Sequence, residues 1–414
     1  MTRRMRPRDA VIAARDARRI LFAGCTGEPV ALVDALAVEP DLWENICITG
    51  AFIPGVNDRD YSALGQNTTV ETIFTTSGLG PKAKGRVAHL PLHYSAYWNR
   101  LARPDVVDLV MMTVPPPAAD GTVGYGLACD FTPAAIGAGA RLIGVINPNM
   151  PDVSYGPRLD VSRFEAMVEG DNPLPELAQP KVDDQSLAIA RNVIGLIPAN
   201  GTLQLGLGKL QKAVLESLAA AGRYDLAFHA GMISDAVLDL VEQGGFQQGV
   251  TTGVALGGNE FYARVNRRNE IRWRPVSETH AHAVLSGLDG LVSVNSVLQV
   301  DLSGQANAEH LGGRQMSGQG GMVDFVRGAR ASRGGRSILA LPSRAGNGTS
   351  RIVTALPQGT PVSVARADVD IVVTEHGVAE LREADLDTRA ERLIAIAAPE
   401  FRSSLAQQWR ECRS

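Results

Sequence analysis

Residues 20–37 read ILFAGCTGEPVALVDALA, and residues 202–219 read TLQLGLGKLQKAVLESLA. Each stretch combines a short apolar run, a turn that contains glycine, and a segment whose apolar residues recur at helical spacing. We therefore expect a strand-turn-helix module that occurs once in each half of the chain. A gapless alignment pairs identical residues at Leu21/Leu203, Gly24/Gly206, Ala31/Ala213, Leu36/Leu218 and Ala37/Ala219.

The order of the later segments agrees with this repeat. Residues 108–148 and 290–343 both contain a strand pattern, a turn with Asp and Gly, an Asp-Phe pair, a helical pattern and a β-branched strand. The pairs are Asp130-Phe131 and Asp324-Phe325. Strands that alternate with helices indicate a mainly parallel sheet with right-handed crossovers. The predicted fold class is α/β, with two tandem open, mainly parallel domains.

The boundary between these domains is predicted in residues 172–185, NPLPELAQPKVDDQ, which are rich in proline and charge. The length of 414 residues also favours two domains, since one domain averages about 150 residues. We expect an N-terminal domain at residues 1–178 and a C-terminal domain at residues 179–414. Open α/β sheets bind ligands at the carboxyl ends of their strands, so we expect an active site in a cleft between the domains.

Composition and charge exclude several classes of protein. The formal net charge is −4, which disfavours a general nucleic-acid binder, because phosphate contacts require clustered Lys and Arg. No apolar run approaches the roughly 18 residues of a membrane span. None of the four cysteines forms a CxxC pair, which indicates neither a disulfide framework nor a zinc site. These features predict a cytoplasmic protein with no nucleic-acid or membrane partner.

Several segments together resemble one enzyme family. The block that ends VDLSGQANAEHLGGRQMSGQGGMVDFVRGA, from Asn295 to Ala329, resembles the signature of the acetyl-CoA hydrolase and 4-hydroxybutyrate CoA-transferase family. Residues 367–405 are similar to its C-terminal block, and residues 200–218 to its helix entry. TVPPPAADGTVGYGLACDFT and PLHYS in the first half also fit. The resemblance covers nearly the whole chain.

The resemblance implies an acyl-CoA substrate, a small-molecule acceptor, no bound cofactor and often a homodimer. It also implies a glutamate nucleophile, which takes the acyl group as a mixed anhydride and then CoA as a thioester. The family carries this glutamate in a segment like HSEMISDG. Here the segment reads HAGMISD, from His229 to Asp235, and the position of the nucleophile is Gly231. We expect a strand that ends at His229, with Met232 and Ile233 on one face of the helix that follows.

A second departure lies in residues 275–285, PVSETHAHAVL, where the family reads like PVSYTHDPAVL. The resemblance gives His280 a contact with the thioester oxygen, whereas Glu278 and His282 are new. In an extended segment these three side chains would share one face. They then form a rebuilt acid/base site, with His229 as a further catalytic candidate. The alternatives are a metal site on His280 and His282, for which no third ligand is evident, or drift at surface positions.

The remaining expected contacts with the thioester and CoA are made by backbone and amide groups. The resemblance assigns a backbone N–H donor for the thioester carbonyl to Gly320-Gly321. The glycine cluster from Gly312 to Gly321 is expected to let the backbone approach the ligand closely. The full set of predicted oxyanion and CoA-binding positions is Gly318, Gly320, Gly321, Asn307, Gly206 and Gly208.

Three functions remain open from the sequence. The first is an enzyme that transfers the acyl group directly to water, an amine or a hydroxyl, because the glutamate is absent. The second is an ordinary acyl-CoA:carboxylate CoA-transferase in which Glu260 or Glu278 replaces the nucleophile. The third is a non-catalytic acyl-CoA-binding or partner subunit.

Overall fold

The computed structural model describes residues 3–79, 85–266 and 268–413, without the side chains of residues 42 and 413. Its contacts divide the chain into two compact units. The first unit contains Met1–Gln179, Gly231–Asp235 and Thr251–Thr279. The second unit contains Pro180–Ala230, Ala236–Val250 and His280–Ser414.

The first 179 residues form a series of short strands and helices. The strands are β1 (Arg3–Met5), β2 (Arg19–Phe22), β3 (Cys47–Gly50), β4 (Thr69–Thr72), β5 (Val87–His89), β6 (Leu109–Val114), β7 (Thr122–Gly124), β8 (Arg141–Ile146), β9 (Arg158–Asp160) and β10 (Ala166–Glu169). The helices are α1 (Pro7–Ala13), α2 (Val30–Ala37), α3 (Tyr94–Leu101) and α4 (Thr132–Gly137).

The rest of the chain continues this alternation. Its strands are β11 (Thr202–Leu205), β12 (Ala227–His229), β13 (Met232–Ile233), β14 (Val250–Thr252), β15 (Val254–Ala255), β16 (Ile271–Trp273), β17 (Leu291–Ser296), β18 (Gln299–Asp301), β19 (Ala306–Asn307), β20 (His310–Leu311), β21 (Arg314–Gln315), β22 (Arg336–Ala340), β23 (Ile352–Val353), β24 (Ile371–Thr374) and β25 (Gly377–Glu380). Its helices are α5 (Asp184–Ile194), α6 (Lys209–Ala220), α7 (Asp235–Glu242), α8 (Asn259–Val265), α9 (Val276–Thr279), α10 (His282–Ser286), α11 (Met322–Ala331), α12 (Leu386–Ala395) and α13 (Pro399–Arg413).

The sheets confirm the repeat that the sequence predicts. The sheet of the first unit has the order β1-β10-β8-β6-β2-β3-β4-β5, and all neighbouring strands in it pair in parallel. The strands of the second unit follow the order β12-β11-β17-β22-β24-β25, in which the β24–β25 pair is antiparallel. The series β3-β2-β6-β8-β10 and β12-β11-β17-β22-β24 therefore share one topology, with the two predicted modules at β2 and β11.

Each unit has its own apolar core. In the first unit it includes Ile20, Phe22, Leu32, Leu36 and Trp43. In the second unit a separate cluster includes Val300, Val326, Leu339, Val372 and Leu393. All ten side chains are fully buried. The strands β2 and β22 supply residues to these cores, as expected for sheets that are covered by helices.

The observed units differ from the predicted limits 1–178 and 179–414. The first break, after Gln179, lies one residue from the predicted boundary, but residues 231–235 and 251–279 group with the first unit. Backbone hydrogen bonds explain this grouping: Ala255 N–H donates to Leu127 O at 2.9 Å, and Trp273 N–H donates to Tyr155 O at 2.8 Å. Pairing between residues so distant in the chain leaves no local signal in composition. No helix in the described ranges is long and apolar enough to cross a bilayer.

The paired glycines of the repeat provide a test of this packing. A Cβ atom added to Gly24 would overlap the carbonyl oxygen of Ala51 and lie 3.0 Å from its carbonyl carbon, whereas one on Gly206 would meet nothing within 4 Å. We expect Gly24→Ala to lower the free energy of unfolding by about 1–3 kcal/mol through overpacking. Gly206→Ala is the matched control and should leave the melting temperature unchanged. Equal melting temperatures for the two variants, measured by calorimetry, would contradict the close approach at Gly24.

Candidate active site

A buried histidine in the second unit lies directly against a glycine. The exposed fraction of His280 is 2%, and its ring centroid is 4.7 Å from that of Phe325. Gly321 immediately precedes α11, and a Cβ atom built on it would overlap Nε2 and Cδ2 of the His280 imidazole. Only glycine therefore allows the ring to lie against the backbone at the start of this helix.

The environment of His280 keeps its imidazole neutral. Burial, together with the electrostatic interaction with the neighbouring His229, lowers the pKa of His280 to about 3. His229 is itself buried, with 6% of its surface exposed, and it ends β12 as the sequence predicts. The second unit thus brings together His229, His280 and Gly321. A neutral imidazole can donate or accept one hydrogen bond without adding a positive charge.

The glycine cluster has two separate functions in the structure. Gly312 and Gly313 have φ values of 57° and 79° and connect β20 to β21 as a two-residue hairpin turn. This turn accounts for the two glycines, and their approach to a ligand stays a prediction. Gly318, which is half-buried, and the buried Gly320 lie in the segment that leads to Gly321 and α11. These positions, rather than the hairpin, remain candidates for carbonyl binding.

The other predicted CoA-binding positions lie at different places in the second unit. Gly206 and Gly208 connect β11 to α6, so the predicted strand-to-helix entry is present. Asn307 is fully buried, and its Nδ2 donates to His310 O at 2.7 Å. Its Oδ1 accepts the backbone N–H groups of Glu309 and His310 at 3.2 and 3.0 Å. Contact with CoA would require the Asn307 amide to give up these bonds.

The segment around Gly231 belongs to the first unit. The carbonyl oxygen of Gly231 accepts N–H groups from Gly253 at 3.2 Å and Val254 at 3.0 Å. Met232 and Ile233 then pair with β15 as a short parallel strand, and α7 begins only at Asp235. The prediction that both residues lie on a helical face is therefore wrong. These hydrogen bonds to a distant segment override the local helical pattern.

The predicted shared face of Glu278, His280 and His282 is also wrong, because the segment is not extended. Residues 276–279 form α9, in which the N–H groups of Glu278 and Thr279 donate to Pro275 O at 2.9 and 3.0 Å. His282 begins the next short helix, α10. The alternation of side chains that the prediction assumed holds for strands and not for helical turns.

Glu278 and His282 are both exposed. The Glu278 carboxylate lies 3.1 Å from Arg274 Nε in an ion pair, and 54% of its side chain is exposed. Among the residues that the structure describes, no group of three or more His, Cys, Asp or Glu side chains could hold a metal ion. The catalytic roles predicted for Glu278 and His282 stay predictions.

Comparisons with known proteins match both halves of the chain. Residues 2–168 match the model of the acetyl-CoA hydrolase/transferase N-terminal domain, and residues 257–409 match that of the C-terminal domain. The 4-hydroxybutyrate coenzyme A transferase of Clostridium kluyveri is 34% identical over 97% of this chain and 96% of its own length. The butyryl-CoA:acetate CoA-transferase of Anaerostipes caccae is 32% identical over 97% of this chain and 96% of its own length.

A solved structure gives the same result for the fold. The crystal structure of RipA from Yersinia pestis superposes with a TM-score of 0.90 and 28% sequence identity. The match covers 99% of this chain and 98% of RipA. The similarity therefore extends through both halves of the chain.

The contact between Gly321 and His280 predicts a specific effect of adding one methyl group. Gly321→Ala should displace the imidazole and lower the turnover of acyl-CoA by at least about tenfold, which corresponds to 1.4 kcal/mol. Displacement would also shift the His280 resonances in an NMR spectrum. Gly195→Ala is the control, because a Cβ atom there would meet Asn192 O at an ordinary 3.7 Å. Unchanged His280 resonances in Gly321→Ala would contradict the contact.

The lowered pKa of His280 predicts how stability depends on pH. The unfolded state binds a proton near pH 6.5 and the folded state only near pH 3, so stability falls as the pH drops below 6.5. This group alone should make the protein about 2 kcal/mol less stable at pH 5 than at pH 7. Chemical denaturation at both pH values measures the difference. His280→Asn should reduce the difference in stability between the two pH values. If the difference is the same in this variant, the pKa of His280 is not lowered in the folded protein, and a negatively charged partner must lie beside the ring.

Proposed function

Because this chain belongs to the acetyl-CoA hydrolase/transferase family, we propose that it moves the acyl group of an acyl-CoA directly to a non-carboxylate acceptor. The acceptor is water, an amine or a hydroxyl. The observation that carries this proposal is Gly231, at the position where the family resemblance expects a glutamate. Glycine has no side chain and can form neither an anhydride nor a thioester.

The carbonyl-binding part of the family's chemistry is supported by the second unit. A reacting thioester develops negative charge on its carbonyl oxygen, and fixed hydrogen-bond donors stabilise that charge. We assign this role to the backbone N–H groups at Gly320 and Gly321 and to the neutral imidazole of His280. His229, buried at the end of β12, is a candidate for orienting the acceptor.

A second candidate function is CoA transfer to a carboxylate through a relocated nucleophile. It is favoured by the names of the relatives, one of which is a butyryl-CoA:acetate CoA-transferase. The two replacements considered from the sequence are both on the surface. Glu260 is exposed in the first turn of α8, and Glu278 forms its ion pair with Arg274. A homodimer in the cytoplasm remains the predicted state of the protein.

Restoring the missing carboxylate tests which reaction the protein catalyses. We expect no CoA adduct on the wild-type chain after incubation with acetyl-CoA, as measured by intact-protein mass spectrometry. Gly231→Glu should gain the mass of a CoA thioester, or lose direct transfer because the new side chain fills the place of the acceptor. Gly137→Glu adds the same charge at an exposed position with open space around it and should do neither.

The outcomes of this experiment separate the candidate functions. A CoA adduct on wild-type Glu260 or Glu278 would overturn direct transfer and establish the relocated nucleophile. Native activity in Gly231→Glu, with no adduct, would show that position 231 lies outside the active site. An absence of turnover with every acyl-CoA tested would support a non-catalytic subunit.

A further inference from the structure

The buried carboxylates of the first and second units can be compared by their hydrogen-bond partners. An acid that is withdrawn from water is normally paired with a cation or accepts hydrogen bonds on both oxygens, because unpaired burial is strongly unfavourable. In the ranges that the structure describes, the buried acids are Glu28, Asp130, Asp301, Glu309 and Asp370.

Four of these five acids follow the rule. Glu28 accepts the Tyr61 hydroxyl at Oε1 and the Asn57 amide at Oε2, each at 2.8 Å. The side chains of the two buried acids in the β18–β20 region likewise accept hydrogen bonds on both oxygens. Asp370 forms an ion pair with Arg382 at 2.6 Å and uses both oxygens. Their positions are therefore explained by structure alone.

Asp130 does not follow the rule. It is 93% buried, since 7% of its surface is exposed, and its Oδ1 accepts the N–H of the next residue, Phe131, at 2.9 Å. Its own backbone N–H is the other hydrogen-bond donor to the carboxyl group. Among the described residues, no side chain donates a hydrogen bond to this carboxyl or forms an ion pair with it. The side chain also does not cap α4, which begins at Thr132 with Phe131 at its N-cap. Neither a cation nor a side-chain donor among the described residues therefore compensates its burial.

The position of Asp130 connects it to the segment with the missing nucleophile. A Cβ atom built on Gly253 would lie 3.7 Å from Cβ of Asp130 and 3.5 Å from the carbonyl oxygen of Gly231. Gly253 is hydrogen-bonded on both sides: its N–H donates to Gly231 O, and its carbonyl accepts Cys129 N–H at 2.9 Å. The Asp130 side chain and the Gly231 backbone therefore flank one glycine within the first unit.

We propose that Asp130 is the proton acceptor for the group that attacks the acyl-CoA thioester, an inference that rests on the proposed direct transfer. A glutamate nucleophile attacks as an anion and needs no base. Water, an amine or a hydroxyl must instead lose a proton as it attacks. A buried carboxylate without a side-chain partner, on a residue near the Gly231 backbone, supplies the base that this exchange of nucleophiles requires.

The reaction balances with Asp130 as the only proton carrier. The acceptor oxygen or nitrogen gives its proton to Oδ2 and forms a bond to the carbonyl carbon. The C–S bond then breaks, and CoA leaves as a thiolate that takes the proton from the Asp130 carboxylic acid. The net change is acyl-CoA plus acceptor to acylated acceptor plus free CoA thiol, and Asp130 returns to its starting state.

The protonation behaviour of the surrounding groups fits this role. Burial raises the pKa of the Asp130 carboxyl to about 6, so it is ionised at neutral pH and is a stronger base than an exposed aspartate. The groups that face it are Cys25, Tyr94, Tyr97 and Cys129. Burial raises the pKa of each of them, to about 12 for Cys25, so all four stay neutral near pH 6.

Two charged groups near this cluster lie just before α9 and within it. Arg274 and Glu278 interact electrostatically with Cys129, and they form an ion pair with each other at 3.1 Å. Val276, in the same stretch, donates its N–H to the backbone oxygen of Asp130 at 3.0 Å. Glu278 is thus the carboxylate with which Asp130 must be compared in any test.

The test uses the full chain with acetyl-CoA or butyryl-CoA, in water alone and with ethanolamine, which offers both an amine and a hydroxyl. Free thiol and acylated product are measured from pH 5 to 8. Wild-type kcat should rise with pH through an inflection near 6. Asp130→Asn should lower kcat at least about 100-fold, with KM for acyl-CoA changed by less than about threefold, and should lose the inflection.

The melting temperature distinguishes a catalytic role of Asp130 from a purely structural role. The folded pKa of Asp130 lies above its unfolded value, so its ionisation makes the fold less stable as the pH rises through 6. At pH 8, Asp130→Asn should therefore melt at or above the wild-type temperature although it is nearly inactive. Asp108→Asn is the control: Asp108 pairs with Arg19 and its pKa is lowered, so this variant should lose stability and keep activity.

Each result supports or overturns the assignment. Wild-type kcat in Asp130→Asn, or loss of activity in Glu278→Gln instead, overturns it and leaves direct transfer standing. A covalent acyl or CoA adduct on any carboxylate overturns direct transfer and this assignment together, as does a wild-type chain without turnover. Should Asp130→Asn fail to fold, a wild-type kcat that is constant from pH 5 to 8 would still overturn the role of Asp130.

Discussion

The contact on which the proposed carbonyl-binding site of the second unit depends is the packing of the His280 imidazole against Gly321. It requires a residue without a Cβ atom at the start of α11, and it buries the ring against Phe325. Burial in turn keeps the imidazole neutral, so that hydrogen bonding rather than charge determines what it can bind. One steric constraint thus sets the position, the protonation state and the chemistry of this histidine.

The first unit contains two buried carboxyl groups that differ in their hydrogen-bond partners. Glu28 is held by hydrogen bonds on both oxygens, whereas among the described residues the Asp130 carboxyl accepts only backbone N–H groups, those of Phe131 and of Asp130 itself. Leaving a buried carboxylate without a side-chain donor or a cation is unfavourable for folding. Such an arrangement is typical of functional groups. A carboxylate without side-chain partners destabilises the fold, but for the same reason it is free to react with a substrate.

The repeat explains how the two halves differ in spite of their common topology. The Asp-Phe pair that occurs in both halves precedes α4 in the first half but lies inside α11 in the second. Asp130 is consequently buried in a turn beside the Gly231 segment, while Asp324 is half-buried in the first turn of a helix. Equivalent residues in the sequence have therefore acquired different environments, and that of Asp130 raises the pKa of its carboxyl group.

The sequence by itself determined the α/β class, the strand-turn-helix modules at β2 and β11 and the family, because local periodicity and long motifs carry that information. It also drew attention to His229, His280 and Gly321. The tertiary structure decided that Glu278 lies on a helical turn and that Met232 and Ile233 form a strand. It likewise decided that Asp130 is buried without a side-chain partner among the described residues. Each of these outcomes depends on contacts between residues far apart in the chain, such as Gly231 with Gly253, and such contacts have no signature in local spacing.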